Sequence, residues 1–487
     1  MQKRIWPYLL FLLSIGCEKN KDTGGTVNPP SPPPPPVVEE KPEFKDRSRS
    51  PLFIEILPEF SAVKAFTFIS SEDTIKPSPD FIFGGGPDGQ AFLKNPDGSG
   101  YIVITNHEYT WAASRMYLDK KLNPVKGEYL LDSDGGMFRL CSATLATPEE
   151  HGFPKMLFLT RGEADPNGMT HALDPVAAST PKDKARVKPA LGKFSGENNV
   201  PLPKDSYSGK TVIVLTEDAE SGQVYVYVSD TPGDLDNGKL YIMRRKDQNE
   251  VETAMVTGTT YDVEFVEAVN AKNLTGAELE ALAINQKSLS FGRVEDVDYR
   301  KGSAANGREL YFTSTGMNNR PAKTKWGRVY RLRLDAASPL SGKLDIIAEG
   351  DSNPGNDLIN PDNICATTNF VYIQEDGDNF YAGANHNSLI WQYDIATGTK
   401  KKFIDTRNRV LAASKYNPGS DLRYGLWEFG AMVDISDIIG VPGTFTLNLH
   451  VHSWKEGNRY LNPSKAGTAV EAYNAGGQML ILTGVPR

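Results

Sequence analysis

The sequence predicts an all-β fold, specifically a β-propeller made of repeated strand pairs. From about residue 51 to residue 487, an apolar strand repeatedly ends in polar or acidic residues and a second strand rich in Tyr or Val follows. The 44 glycines and 33 prolines supply the turns that many short strands need. The same strand end carries acidic residues in unit after unit. In a propeller those ends meet around one axis, whereas in a plain β-sandwich, the alternative fold, they would lie apart.

The strand pairs follow one another at irregular spacing, and their alternation and turn residues indicate antiparallel hairpins. One helix is predicted as an insertion, at 275–285, because Thr275 can cap it and Glu278 follows three residues later. The strand segments are GYIVITNHE (100–108), KMLFLTRGEAD (155–165), KTVIVLTEDAESGQVYVYVSD (210–230), RELYFTSTG (308–316) with WGRVYRLRLD (326–335), NFVYIQEDGDN (369–379) with SLIWQYDIATG (388–398), and GTFTLNLHVHSW (443–454).

Residues 1–17 resemble a bacterial lipoprotein signal peptide. Lys3 and Arg4 precede an apolar stretch, 5–15, that is too short to span a bilayer as a permanent helix. The run SIGC ends at Cys17 and resembles a lipobox, with the usual leucine one place early, at Leu13. We expect lipidation of Cys17 and anchoring in the bacterial cell envelope, in the outer membrane, the periplasm or at the cell surface. Plain secretion and a cytoplasmic protein with an apolar start are the alternatives.

Residues 18–50 are predicted to form a Pro-rich disordered tether. The segment NPPSPPPPPVVEEKP has too few apolar groups to pack and favours extended polyproline II. Such a spacer would lift a folded domain, residues 51–487, away from a membrane. The formal net charge of −8 disfavours a nucleic-acid partner. We expect a monomer that meets the membrane only through the lipid on Cys17.

Carboxylates at the strand ends are the first candidates for chemistry. Carboxylates that converge in a partly buried site repel one another and need cations for stability. Oxygen ligands suit Ca²⁺, Mg²⁺ or Fe³⁺. Each acid alone is better explained as a solvated turn residue, so the prediction depends on the whole set. The set comprises Glu108, Glu163, Glu197, Glu217, Asp218, Asp362, Glu375 and Asp376.

Cysteine and arginine side chains add two further kinds of chemistry. Cys141 is either a buried small hydrophobe or a thiolate that binds a metal, and Cys365 is expected to pack in a strand. In FGRVEDVDYR, Arg293 and Glu295 share one strand face. They form either a surface salt bridge or a clamp for an anion, because guanidinium offers a bidentate fork to phosphate or carboxylate.

The sequence also lacks the motifs of several familiar enzyme classes. The six histidines lack the HExxH spacing of a zinc site, and His450 and His452, two residues apart on one strand face, are consistent with a surface pair. The sequence contains no GxSxG elbow, no Walker loop and no dinucleotide fingerprint.

Taken in order, these segments resemble the PhoX-type bacterial alkaline phosphatases. The succession GPDGQAFL, VITNHEYT, RLCSATLA, LTRGEAD, ALGKFSGEN, VIVLTEDAESGQVYVYV, FGRVEDVDY, ELYFTST, NPDNI and VYIQEDG spans roughly residues 80–480. The resemblance implies a six-bladed propeller whose phosphomonoesterase site holds Fe³⁺ and Ca²⁺, with a cysteine thiolate on the iron. It implies Arg293 and Glu295 as the catalytic pair and Cys141 as the thiolate ligand. It also implies as metal ligands Glu163, Glu197, Glu217, Asp218, Asp362 and Asp376.

The sequence departs from the family pattern at three of these motifs. SATLATPEE follows Cys141 in place of a glycine-rich aromatic run, Val294 replaces a proline between Arg293 and Glu295, and TEDAE replaces Gly-Asp-Asp-Glu. No arginine pair precedes the apolar stretch of the signal segment, so export by the general secretory route is expected rather than by the twin-arginine route.

We therefore expect an exported, metal-dependent phosphoric-ester hydrolase that acts on phosphate monoesters. The alternative from another class is a non-catalytic, calcium-binding surface propeller. A third is a propeller hydrolase of other esters, such as phytate or a phosphodiester.

Overall fold

The computed structural model describes residues 40–132, 135, 137–180, 186–377, 382–455 and 475–487. The predicted signal peptide, Cys17 and most of the predicted tether lie outside the described residues. The compact unit spans Lys41–Arg487, so it includes the last part of the predicted tether. There Phe44 packs on an apolar cluster, and Arg47 donates hydrogen bonds to the carbonyl oxygens of Glu43 and Lys121. Within the described residues, no helix has the length and apolar character needed to cross a membrane.

Strands dominate the described residues. They are β1 Ile54–Ile56, β2 Lys64–Ser70, β3 Pro87–Lys94, β4 Gly100–His107, β5 Ala112–Asp119, β6 Pro124–Leu131, β7 Arg139–Ala146, β8 Leu157–Glu163, β9 Thr170–Leu173, β10 Gly196–Pro201, β11 Thr211–Glu217, β12 Val224–Ser229, β13 Lys239–Arg245, β14 Thr260–Glu267, β15 Val294–Tyr299, β16 Glu309–Ser314, β17 Arg328–Leu334, β18 Ser341–Glu349, β19 Pro361–Ala366, β20 Phe370–Glu375, β21 Leu389–Asp394, β22 Lys400–Thr406, β23 Glu428–Asp434, β24 Phe445–Lys455 and β25 Ala475–Thr483.

Helices are short and few in the same part of the chain. The α-helices are α1 Pro148–His151, α2 Gly276–Asn285 and α3 Ser436–Ile439. The predicted helix is confirmed as α2, where Thr275 and Glu278 form a reciprocal capping box. Single 3-10 turns lie at Pro58–Phe60, Glu108–Thr110, Pro189–Leu191, Glu252–Ala254, Ala271–Asn273 and Asn306–Arg308.

The strands pair antiparallel in five sheets. Their orders are β3-β4-β5-β6, β7-β8-β9, β10-β11-β12-β13-β14-β18-β17-β16-β15, β1-β22-β21-β20-β19 and β2-β25-β24-β23. The predicted hairpins β11–β12, β16–β17 and β20–β21 are confirmed. Strands β1 and β2, from the start of the domain, pair with β22 and β25 from its later part, so segments distant in sequence close the fold.

Six strands form an inner ring. In cyclic order, β3 contacts β7, β7 contacts β10, β10 contacts β15, β15 contacts β19, β19 contacts β23, and β23 contacts β3. Each ring strand begins a run of antiparallel strands that leads away from the ring, so the sheets have a propeller-like arrangement rather than the two layers of a sandwich. The all-β prediction is confirmed.

Every ring strand is irregular near its start. The register against its neighbour shifts in all six, between Pro87 and Gln90, Leu140 and Ala143, Gly196 and Asn199, Val294 and Val297, Pro361 and Ile364, and Phe429 and Met432. Such a bulge redirects side chains and disrupts the local ladder. The residues inside five of these bulges include Asp88, Cys141, Glu197, Glu295 and Asp362.

Candidate active site

A pocket of about 100 Å³ lies where the bulged starts of the ring strands meet the ends of the strands that follow them. It brings together most of the residues that the sequence predicted. Those that line it are Glu108, Cys141, Glu163, Glu197, Arg293, Glu295, Asp362 and Asp376. The other lining residues are Asp88, Tyr109, Arg139, Glu428 and His452.

Cys141 is a buried free thiol at the bulge of β7. Asn106, from β4 of the neighbouring sheet, donates a 2.6 Å hydrogen bond to the Cys141 carbonyl oxygen and so helps to fix the bulge. The Sγ atom lies 2.6 Å from Glu163 Oε2. Burial raises the pKa of the Cys141 thiol well above its usual range, and the nearby carboxylates raise it further. A thiolate at this position therefore requires a cation beside it.

The ligand atoms fall into overlapping groups of three within 4.8 Å of one another. Two groups contain the thiol, two contain only carboxylates, and one contains two imidazoles. They are Asp88/Cys141/Glu197, Glu108/Cys141/Glu163, Glu197/Glu295/Asp362, Asp362/Asp376/Glu428 and Glu428/His450/His452.

The electrostatics of the pocket are unfavourable without multivalent cations. Burial, and then the neighbouring carboxylates, raise the pKa values of Glu163, Glu197 and Asp362 well above the usual range. Asp88 Oδ1 is buried and accepts no hydrogen bond from the described part of the chain. The residues present thus fit metal ions, because hard cations bind carboxylate oxygens and a thiolate favours a transition metal.

Arg293 is positioned directly beside the carboxylate groups. It precedes β15 with φ at +61°, which is uncommon for a residue other than glycine. Its amide donates a hydrogen bond to the Ala219 carbonyl oxygen, and its carbonyl oxygen accepts one from the Thr315 amide. Its Nε and Nη2 donate to the two oxygens of Asp218 at 2.8 and 3.2 Å, and Nη2 lies 2.8 Å from Glu295 Oε1. This fork fixes the guanidinium at the pocket wall, while 22% of its side chain remains exposed.

Arg139, which the sequence did not suggest, is the second arginine of the pocket. Its Nη1 lies 3.2 Å from Glu108 Oε1 and 3.7 Å from Glu163 Oε1. Arg139 and Arg293 also line an adjoining open cleft of about 850 Å³, together with the segment 316–320. The small pocket thus opens past two guanidinium groups into a larger, mostly polar space.

Two imidazoles close another side of the pocket. His450 is fully buried and His452 nearly so, which contradicts the interpretation of a surface pair. Burial lowers the pKa of His450, but Glu428 and other facing carboxylates outweigh this and raise it to about 10. Tyr109 Oη lies 2.5 Å from His452 Nδ1, and Glu428 Oε2 lies 3.0 Å from His452 Nε2.

Two strand-end acids lie outside the pocket. Contrary to the prediction, Glu217 is not brought to the site: its Oε2 accepts hydrogen bonds from Tyr225 Oη at 2.8 Å and from the Gln223 amide at 3.1 Å. Glu375 instead accepts hydrogen bonds from two backbone amides and the Trp391 indole. In each case it is the next residue along, Asp218 or Asp376, that reaches the site, because successive side chains of an extended chain point to opposite faces.

Comparisons with known proteins agree with this geometry. A family model described as alkaline phosphatase PhoX matches residues 151–410. No curated protein sequence matches significantly. Among solved structures, Pseudomonas fluorescens PhoX in complex with vanadate, a transition state analogue, is similar over 91% of this chain and 97% of that chain, with a TM-score of 0.58 and 14% identity.

Other solved structures are more distant. The PQQ-bound aldose sugar dehydrogenase of Streptomyces coelicolor is similar over 86% of this chain and 98% of that chain, with a TM-score of 0.36 and 10% identity. The α-L-arabinofuranosidase of Fusarium graminearum in complex with an iminosugar inhibitor is similar over 79% of this chain and 93% of that chain, with a TM-score of 0.40 and 12% identity.

Proposed function

The chain belongs to the alkaline phosphatase PhoX family, and from this premise we propose that it is an exported, metal-dependent hydrolase of phosphate monoesters. Family membership makes it an alkaline phosphatase-like phosphoric ester hydrolase. One observation carries the finer proposal: the thiol of Cys141, the clustered carboxylates and the guanidinium of Arg293 line a single pocket. The binding of vanadate, a transition state analogue, by Pseudomonas fluorescens PhoX supports the same chemistry.

We assign the metals by donor chemistry. Fe³⁺ would be held by the groups that contain Cys141, and Ca²⁺ by the groups made only of carboxylates. When bound, such cations polarise phosphoryl oxygens and offset the negative charge of the site. In this assignment Asp88 Oδ1, which accepts no hydrogen bond from the residues described, would bind a metal ion.

The chain's own residues would bind and orient the substrate. Arg293 would donate hydrogen bonds to a non-bridging phosphoryl oxygen and stabilise the charge that develops there in the transition state. Asp218 and Glu295 would orient it, because both already bind its guanidinium. Thr315 in turn donates to Glu295 Oε1 at 3.0 Å. The leaving group would lie in the adjoining cleft, past Arg139.

Chelation is the first test. We expect the purified protein to hydrolyse an aryl phosphate monoester, to lose that turnover when its metals are removed, and to regain it when Fe³⁺ and Ca²⁺ are returned. Elemental analysis before and after chelation would identify the ions. Glu217→Gln should behave as the wild type throughout, because Glu217 lies outside the pocket.

The same assay separates the competing functions. A calcium-binding surface module would gain thermal stability from metal without hydrolysing any ester. Faster turnover of a diester or of phytate than of the monoester would favour the other hydrolase classes. Full activity in a sample proven free of metal would contradict the proposal.

We also propose that the five sheets form six blades. The nine-stranded sheet contains two ring strands, β10 and β15, at its opposite edges. Dividing it between β14 and β18 gives two ordinary blades that remain paired at their outer strands. A crystal structure would test this directly, by the number of radial sheets around the axis.

Anchoring through Cys17 is a separate proposal. We expect the exported protein to incorporate a radiolabelled fatty acid and to partition with the membrane fraction. Cys17→Ala should remove the label, because no other thiol lies in the segment that resembles a lipobox. Cys365→Ala is the matched control and should leave the label in place. An unlabelled wild type would favour plain secretion.

A further inference from the structure

The imidazole group on β23 and β24 is chemically unlike the rest of the pocket. Strand pairing places Glu428 directly opposite His450, and His452 follows two residues later on the same face of β24. The three side chains are therefore forced together by register. All three lie beyond residue 410, where the match to the family model ends, so that match assigns them no role.

The distances between donor atoms fit a single small cation. Glu428 Oε2 lies 3.2 Å from His450 Nδ1 and 3.0 Å from His452 Nε2. Glu108 Oε2 lies 3.5 Å from the same His450 nitrogen. A tetrahedral ion with bonds of about 2.0–2.1 Å holds its donor atoms about 3.3–3.4 Å apart.

A second and independent observation points to a ligand. His450 is fully buried, yet neither of its ring nitrogens has a hydrogen-bond partner among the described residues. Its Nδ1 lies close enough to two carboxylates for electrostatic attraction, but the geometry does not fit a hydrogen bond. A buried ring nitrogen that makes no hydrogen bond is costly, and a cation bound between this nitrogen and the two carboxylates would satisfy all three groups.

The orientation of His452 agrees with ligation. Its Nε2 faces Glu428, while its Nδ1 lies 2.5 Å from the Tyr109 hydroxyl. Histidines that bind metal usually engage their other ring nitrogen with an oxygen partner, which fixes the ring. Tyr109 provides that oxygen from the neighbouring sheet.

We infer that Glu428, His450 and His452 form a further site for one divalent transition-metal ion. The site shares Glu428 with a carboxylate group assigned to Ca²⁺, and Glu108, from one of the groups that contain Cys141, is available as a fourth ligand. Two imidazoles and one carboxylate are a donor set that Zn²⁺ and Fe²⁺ bind, whereas Ca²⁺ prefers oxygen alone. The site adds a nitrogen-bound ion to the iron and calcium assigned above. It depends on the geometry of β23 and β24 and not on the hydrolase activity.

Cobalt substitution tests this inference in the full chain. Metal-free protein loaded with Co²⁺ should show both a thiolate-to-cobalt charge-transfer band and visible d–d bands. Cys141→Ser should abolish the charge-transfer band and retain the d–d bands of a nitrogen- and oxygen-bound ion. His452→Asn should bind one transition-metal ion fewer per chain and keep the charge-transfer band.

A control variant and a second measurement separate metal binding by the imidazoles from general effects on folding. His151→Gln removes an imidazole that contacts Tyr299 outside the pocket and should leave the metal content unchanged. If His452→Asn fails to fold, X-ray absorption of Zn²⁺-loaded Cys141→Ser should still show the outer-shell scattering of imidazole ligands. Unchanged metal content in a folded His452→Asn, or zinc scattering without imidazole, would overturn the inference in favour of an ion pair between His450 and Glu428.

Discussion

Replacing Arg293 with alanine is expected to lower kcat/KM for an aryl phosphate by about 100- to 1,000-fold, the cost typical of removing one donor that stabilises transition-state charge. Because Arg293 would contact the phosphoryl group most strongly in the transition state, the loss should fall mainly on kcat. Steady-state kinetics with metal content measured on the same sample would test this. Arg293→Lys should recover only part of the loss, since an ammonium group cannot reproduce the fork to Asp218 and Glu295.

The appropriate control is an arginine that forms an ion pair away from the pocket. Arg423 pairs with Asp421 and its side chain is 78% exposed. Arg423→Ala should leave both kinetic constants unchanged. An Arg293→Ala variant that loses bound metal in proportion to its activity would contradict a direct role in catalysis. It would indicate instead that Arg293 serves to balance the charge of the carboxylates.

Local patterns in the sequence predicted local structure correctly. The hairpin β11–β12 joins two short strands rich in Val and Tyr that are close in sequence, and the capping box of Thr275 and Glu278 is complete within four residues. The closure of the fold could not be predicted in the same way. The pairing of Ala65 with Leu482 joins residues at opposite ends of the domain, and no local pattern encodes it.

The sequence predicted the thiol and most of the carboxylates of the site, but it missed residues at strand starts. Asp88 stands in GPDG, which is typical of a turn, and Glu428 begins β23 without any turn signal. Asp88 reaches the pocket because β3 is bulged near its start, and a bulge leaves no mark in the period-two pattern. Glu428 reaches it from a regular pair with His450, just before the bulge of β23.

The choice between neighbouring acids was also beyond the sequence. Glu217 and Asp218 have similar chemistry, and only the position at which β11 ends decides which of them faces Arg293. The hydrogen bond from Tyr225 holds Glu217 within its sheet. Burial raises the pKa of Glu217 to about 7, although that hydrogen bond lowers it. A one-residue shift in strand end would exchange the two roles.

The charge balance of the pocket predicts that Glu197→Gln will raise the melting temperature of the metal-free protein and lower that of the metal-loaded protein. Glu197 belongs to two of the ligand groups, and its Oε1 accepts a 2.9 Å hydrogen bond from the Ser142 amide. Glu197→Gln keeps an oxygen for that bond but removes a charge. The metal-free variant should therefore melt above the metal-free wild type, by about 1–2 °C for each kcal/mol of relieved repulsion. The metal-loaded variant should melt below the loaded wild type, because a ligand is lost.

The pH dependence follows from the same carboxylate. Burial, then Glu295 and other carboxylates, raise the pKa of Glu197 well above its ordinary value of 4.5. While a carboxyl is protonated in both the folded and the unfolded protein, its raised pKa does not change the free energy of unfolding. As pH rises above its unfolded-state pKa, the carboxyl ionises more readily in the unfolded protein and so destabilises the folded state. The advantage of metal-free Glu197→Gln should thus vanish below about pH 4.5 and grow towards neutral pH. Calorimetry across this range, with Glu217→Gln as the control that responds equally with and without metal, would check the result. A variant that melts below the wild type in both states at neutral pH would show that repulsion between carboxylates does not govern the stability of the empty site.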